Sequence, residues 1–203
     1  MNFQLLNSTL LRQLVLLIVA LLLGSPVSSY DFPLSSSAIR DAYFRGIRQA
    51  DMQDFLAQYT RVVPEIQLGE SLVTRAKIET PFLQVAVHAG KTLNYSAQDA
   101  VNDFYGKSAV LRLNLEIPYM ANAPEPGSVK ISVIQNRRQI SPTSDDRSPF
   151  FPATDPYTRA IDVGEIVNME FDPNKFDSST LTIKIDTPDG QHAKTEFDLV
   201  SLR

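Results

Sequence analysis

From residue 108 onward, apolar and polar residues alternate. Leu111, Leu113, Leu115, Ile117 and Tyr119 alternate with Arg112, Asn114, Glu116 and Pro118. The same period of two recurs at Val129–Val133, Val167–Phe171, Leu181–Asp186 and Glu196–Leu199. A period of two predicts half-buried strands, each with one face in a core and one in water. Thr187-Pro188-Asp189-Gly190 reads as a turn joining the last two strands, since Pro presets φ and Gly accepts positive φ. The expected architecture for 108–203 is an antiparallel β-sandwich, immunoglobulin-like in size but without the Cys and Trp signatures of that fold.

Residues 30–107 follow a different period and read as mostly helical. Ser35, Ser36 and Ser37 offer N-caps, and Ile39, Tyr43, Phe44, Ile47 and Ala50 then share a helical face. Gly46 weakens that helix by about 1 kcal/mol relative to Ala. Met52, Phe55, Leu56 and Tyr59 extend the stripe. This aromatic stripe serves either a partner or, more simply, packing within the chain itself. A short strand is expected over Val73–Thr80. Thr80-Pro81 then suits a helix start, although Phe82–Ala89 also fits a buried strand. Ser96 and Asp99 form a capping-box pattern, with Ala97, Ala100, Val101 and Phe104 as an apolar face and Gly106 as the stop. The fold class expected is therefore α+β: a helical N-terminal half, 30–107, followed by the β-sandwich of 108–203.

The first 29 residues have the pattern of a secretory signal. Arg12 precedes an unbroken apolar run from Leu14 to Leu23, and Val27 and Ser29 supply the small-residue cleavage pattern. The competing reading is a permanent anchor. A spanning helix needs ~20 apolar residues, about twice this run. The expected product is a secreted or periplasmic protein beginning at Tyr30, with no permanent membrane span.

Composition narrows the function classes. The formal net charge is −4, which disfavours nucleic acid as a partner. There is no Cys, so there are no disulfides and no thiolate metal site.

Candidate chemistry is sparse. His88 and His192 lack a spacing partner for a metal. Gly69-Glu70-Ser71-Leu72-Val73 begins like a nucleophile elbow, but Val73 stands where the second Gly is required. Asp172–Asp177 holds carboxylates and an amide, yet lacks the Gly and closing Glu of a helix–loop–helix calcium site and reads as a turn. No Gly-rich phosphate loop is present, so no cofactor, metal or catalytic residue is expected.

The segment 136–160 reads as a connection far longer than a hairpin loop. It concentrates Arg147, Phe150, Phe151, Tyr157 and Arg159, residue types favoured at interfaces, which makes it the candidate partner-binding loop. The alternative is that Phe150 and Phe151 staple it to the sandwich edge. SAIRDAYFRGIR at 37–48, FLAQYTR at 55–61, Thr80-Pro81-Phe82, YSAQDAVNDFYG at 95–106 and the closing Thr187–Gly190 with Glu196–Leu199 form an ordered set. In that order the chain resembles a family of exported bacterial proteins, met mainly in acidobacteria, that has no assigned function. The resemblance implies a signal, a helical front and a β-rich rear, and carries over no catalytic residue. The expected role is a non-enzymatic exported module for binding or scaffolding in the bacterial envelope, with another envelope protein as the candidate partner. The alternatives are an envelope enzyme using Asp, Glu, Tyr or Ser, or a structural subunit docking through 39–59.

Overall fold

The caps read from the sequence start the helices. Ser35 accepts from the Ala38 amide at 3.1 Å and opens α1 (Ser36–Ile47). A computed structural model describes residues 32–48, 52–63, 74–119, 129–150, 163–177, 179–187, 190 and 192–202, so the expected signal at 1–29 lies outside the described residues. A six-residue α2 (Met52–Ala57) follows and leads into β1 (Thr60–Val63), which then pairs with β2 (Thr74–Glu79). Thr80 caps α3 (Pro81–Lys91) through the Leu83 amide, with Pro81 in its first turn, so Phe82–Ala89 is helix. The Ser96/Asp99 capping box is present and opens α4 (Ala97–Phe104).

Two antiparallel sheets complete an α+β fold. The five-stranded sheet runs β1-β2-β3-β7-β6, with β3 (Leu111–Tyr119), β6 (Ser144–Phe150) and β7 (Val163–Phe171). The four-stranded sheet runs β5-β4-β8-β9, with β4 (Lys130–Gln135), β5 (Arg138–Gln139), β8 (Thr180–Asp186) and β9 (His192–Asp198). β2 comes from the first half of the chain and pairs with β3, Ile78 opposite Leu113, so the larger sheet draws on both halves. Gly190 donates its amide to Thr187 O at 3.1 Å with φ +85°, closing the expected β8–β9 turn.

The alternation sorts the faces as the period requires. Leu111, Leu113, Leu115, Val129, Val133, Val167, Met169, Phe171, Leu181, Ile183 and Ile185 are all buried, while Ile131 is half-buried. These side chains belong to one continuous core shared by both sheets and by Ile39, Ala42, Phe82, Leu83, Val85 and Ala86 of the helices. Each large side chain fully removed from water contributes about 1.5–3 kcal/mol. The chain's end is tied in as well: Leu199 and Leu202 are buried, and Thr80 Oγ1 donates to Leu202 O at 3.3 Å.

The face of α1 differs from the one its aromatic stripe suggests. Ile39, Ala42 and Gly46 point inward, whereas Phe44 and Ile47 are 48% and 44% exposed. The reason is the partner. A Cβ on Gly46 would fall 2.0 Å from Ala86 O, so α1 lies against the α3 backbone through its smallest residues. That approach turns the bulkier Phe44 and Ile47 away from α3.

The segment 136–160 begins as structure, too. Asn136 and Arg137, at φ +51° and +63°, form a two-residue turn between Gln135 and Arg138, whose pairing is that of a hairpin. Residues 144–150 are the edge strand β6, with Arg147 opposite Val167 and Pro149 opposite Glu165. Pro is tolerated there because an edge strand has one side without ladder partners.

Candidate functional site

A cross-strand row of charge starts the site. Glu79 on β2 lies directly opposite Arg112 on β3, and Arg112 opposite Glu170 on β7. All three point away from the core, since Ile78, Leu111, Leu113, Met169 and Phe171 take the inward positions. Arg112 Nε donates to Glu170 Oε1 at 2.9 Å, and Lys77 Nζ sits 2.6 Å from Glu79 Oε1.

Helix α3 overhangs this row because it leaves β2 at once, its cap being the residue after Glu79. Gln84 Nε2 fixes the departure by donating to Glu79 O at 3.2 Å and Val110 O at 2.6 Å, the ends of β2 and of the approach to β3. One turn further on, His88 stacks edge-on against Tyr95 at 4.8 Å and Phe104 at 5.8 Å. Its Nε2 lies 3.4 Å from Thr92 Oγ1. Tyr95 in turn donates to Asp103 at 2.8 Å, and burial together with that carboxylate pushes its hydroxyl pKa up. Tyr43 of α1 donates to Tyr95 O at 2.9 Å, so α1, α3 and α4 hold one another.

These contacts enclose a cleft of about 330 Å³ lined by Glu79, Leu83, Gln84, Val87, His88, Lys91, Phe104 and Arg112. Val87 and Phe104, with the buried Leu83 behind them, give it an apolar side, and Glu79, Lys91 and Arg112 bring charged groups to it. Such a mix suits non-covalent recognition of a small molecule. Sequence reading missed this cleft. Of its residues only His88 stands out in the sequence for its chemistry, as a lone candidate metal ligand, and its ring contacts instead make it a wall. Arg112 falls on the wet face of its strand by period, and nothing in the sequence says which wet residues a helix will overhang.

Arg147 and His192, also singled out from the sequence, are not in the lining of the cleft. Arg147 lies on β6 and points between the sheets. It donates to both carboxylate oxygens of Asp145, at 2.9 and 3.0 Å, to Val129 O at 2.8 Å and to the fully buried Glu165 at 3.3 Å. The Asp145 carboxylate is the main influence holding its guanidinium charged. Phe150 ends β6 and its side chain is not among those described; Phe151, Tyr157 and Arg159 lie outside the described residues. His192 Nδ1 faces Asp186 Oδ1 at 2.7 Å across the β8–β9 pair, fully in solvent reach.

The 172–177 segment is a turn built by its carboxylates. Asp172 accepts from the Asn174 amide at 3.0 Å, and Asp177 from the Ser179 amide at 2.8 Å. These bonds hold both carboxyls below their ordinary pKa, chiefly through Asn174 and Ser179 respectively. The buried Gln135 locks the same turn, donating to Asp177 O and Ser179 O and accepting from the Asp177 amide. Among the described residues no three His, Asp or Glu gather as a metal centre requires, and no helix is long and apolar enough to cross a membrane. Compared with known proteins, the chain matches no family model, no curated protein and no solved structure.

Proposed function

We propose that this protein is an exported, non-enzymatic binding module of the bacterial envelope, secreted or periplasmic once its signal is removed. In this reading the two sheets form a sandwich of immunoglobulin-like size, and the helical front caps it to shape a small-molecule cleft. The observation that carries the reading is the cleft between α3, α4 and the Glu79–Arg112–Glu170 row. Most of the polar residues that line it already hold a partner: Glu79 holds Lys77, Gln84 two carbonyls, Arg112 Glu170 through its Nε, and His88 two rings. Groups committed in this way orient a ligand well, and they are poorly placed to exchange protons with one. The acidic net charge keeps nucleic acid out of the proposal.

The test is an NMR titration of the purified protein with the low-mass fraction of its own envelope extract. Shifts confined to the cleft, with every constituent recovered unchanged, are the expected result. Chemical conversion of a constituent that stops in an Arg112→Gln variant would replace this reading with an enzyme.

A second reading, a structural subunit docking through 39–59, has one observation of its own. Phe44 and Ile47 are exposed on α1, and Leu93 is 91% exposed nearby, where it lines a shallow groove with Ile47. Replacing Phe44 and Ile47 with Ser and measuring recovery of the protein in its native assembly tests that role. Loss of assembly with unchanged stability supports it, and unchanged assembly refutes it.

A further inference from the structure

We infer that the cleft takes a small organic monocarboxylate, its carboxylate held by Arg112 and Lys91 and its apolar body laid on Val87 and Phe104. This rests on the binding-module reading and specifies its ligand.

The donor inventory gives the sign. Arg112 spends its Nε on Glu170 at 2.9 Å, and neither of its terminal amino groups has a partner among the described residues. Lys91, the last residue of α3, likewise has no ion-pair or hydrogen-bond partner among them. A guanidinium with open terminal groups matches a carboxylate in shape and charge. The competing cationic ligand is disfavoured, because the one carboxylate lining the cleft, Glu79, already holds Lys77 at 2.6 Å.

The apolar lining gives the body. A bare inorganic anion would leave the half-buried Val87 and Phe104 facing water, whereas an aliphatic or aromatic group would cover them. A cleft of about 330 Å³ is at the small end for organic ligands and suits roughly one ring or a short branched chain. A dianion fits less well, because Glu79 and Glu170 flank the arginine on both sides.

The experiment uses benzoate as probe, with benzyl alcohol as its uncharged counterpart and acetate as its bodiless one, read by NMR shifts in the purified protein. Benzoate should shift Leu83 and Val87 methyls saturably at millimolar concentration, and both controls should bind more weakly. Arg112→Gln and Lys91→Gln should each weaken benzoate about tenfold, with the remaining spectrum unchanged because both side chains are exposed. Benzoate without saturable shifts, benzyl alcohol binding as well as benzoate, or unaltered affinity in both variants would overturn the inference. If extract constituents shift the cleft and benzoate does not, the monocarboxylate assignment fails and the binding module stands. If neither shifts it, both fall.

Discussion

Replacing Gly46 with Ala reverses the sign expected from helix propensity. In an open helix the change stabilises by about 1 kcal/mol. Here a Cβ at 46 would stand 2.0 Å from Ala86 O, 2.8 Å from Ala86 C and 3.0 Å from Ala86 Cα. The obstacle is backbone, so no rotamer change relieves it. The helices would have to part by about 1 Å or more, and a gap of that size forfeits up to half the dispersion energy of each contact it opens. The contacts at stake join Ile39 and Ala42 to the buried face of α3, where Val85 and Ala86 are fully buried. Overpacking of this kind costs typically 1–3 kcal/mol. A clash with immobile backbone belongs at the upper end, so after the propensity gain Gly46→Ala should lose about 2 kcal/mol. Gly90→Ala meets Gly46 O at 2.8 Å and the movable Met52 Cε at 3.2 Å, and should lose less. Urea denaturation followed by circular dichroism measures both. A Gly46→Ala protein as stable as the parent would show that α1 and α3 do not touch through their backbones.

Leu113 is 1% exposed at the centre of the larger sheet, so Leu113→Ala should cost about 2–5 kcal/mol in the same denaturation assay, against a small effect for its wet-face neighbour in Asn114→Ala. Arg147→Met leaves Glu165 buried without its guanidinium and should cost about 3 kcal/mol, whereas the double change with Glu165→Met should recover part of that loss; a double variant that loses the sum of the two single losses would mean that the pair is not coupled. Asp99 is held below its ordinary pKa of 3.8 chiefly by Ser96, so its contribution is present above that value and disappears as pH falls through the depressed folded value. The protection of the Ser96 amide, its exchange rate relative to that of an unstructured amide at the same pH, should therefore fall on acidification in the parent, and Asp99→Asn should remove that fall.

The strands legible in the sequence are those whose inward positions are apolar. Those of β3, β7 and β8 read Leu, Val, Ile, Met and Phe in turn, and their period survives inspection of the chain alone. Three strands escaped, β1, β5 and β6, and all three lie at sheet edges. β1 is four residues and β5 two, too short for any period to show. The turn before β5 was hidden as well, because Asn136-Arg137 adopts positive φ without the Gly that usually marks a hairpin. The cleft escaped for a different reason. Glu79, Lys91 and Arg112 are ordinary surface residues one by one, and only the departure angle of α3, set by Gln84 on two backbone carbonyls, brings them together.

β6 is the instructive case. Its inward positions, set by pairing with Met169, Val167 and Glu165, are Asp145, Arg147 and Pro149. Two are charged and the third is Pro, so the segment has the composition of a loop. An edge strand exposes unpaired backbone groups that invite pairing with another chain, and inward-pointing charge is one way to discourage it. Such a charge needs partners, and they are supplied locally. Asp145 grips the guanidinium at two points, Val129 O receives it from the residue before β4, and Glu165 meets it from β7. Glu165 occupies a core-facing position at 0% exposure, where a lone carboxylate would be costly. Each charge thus makes the other tolerable, and together they tie both sheets at an edge where apolar packing is thin. The arginine that composition nominates for an external partner is, in the folded chain, engaged from several sides by its own.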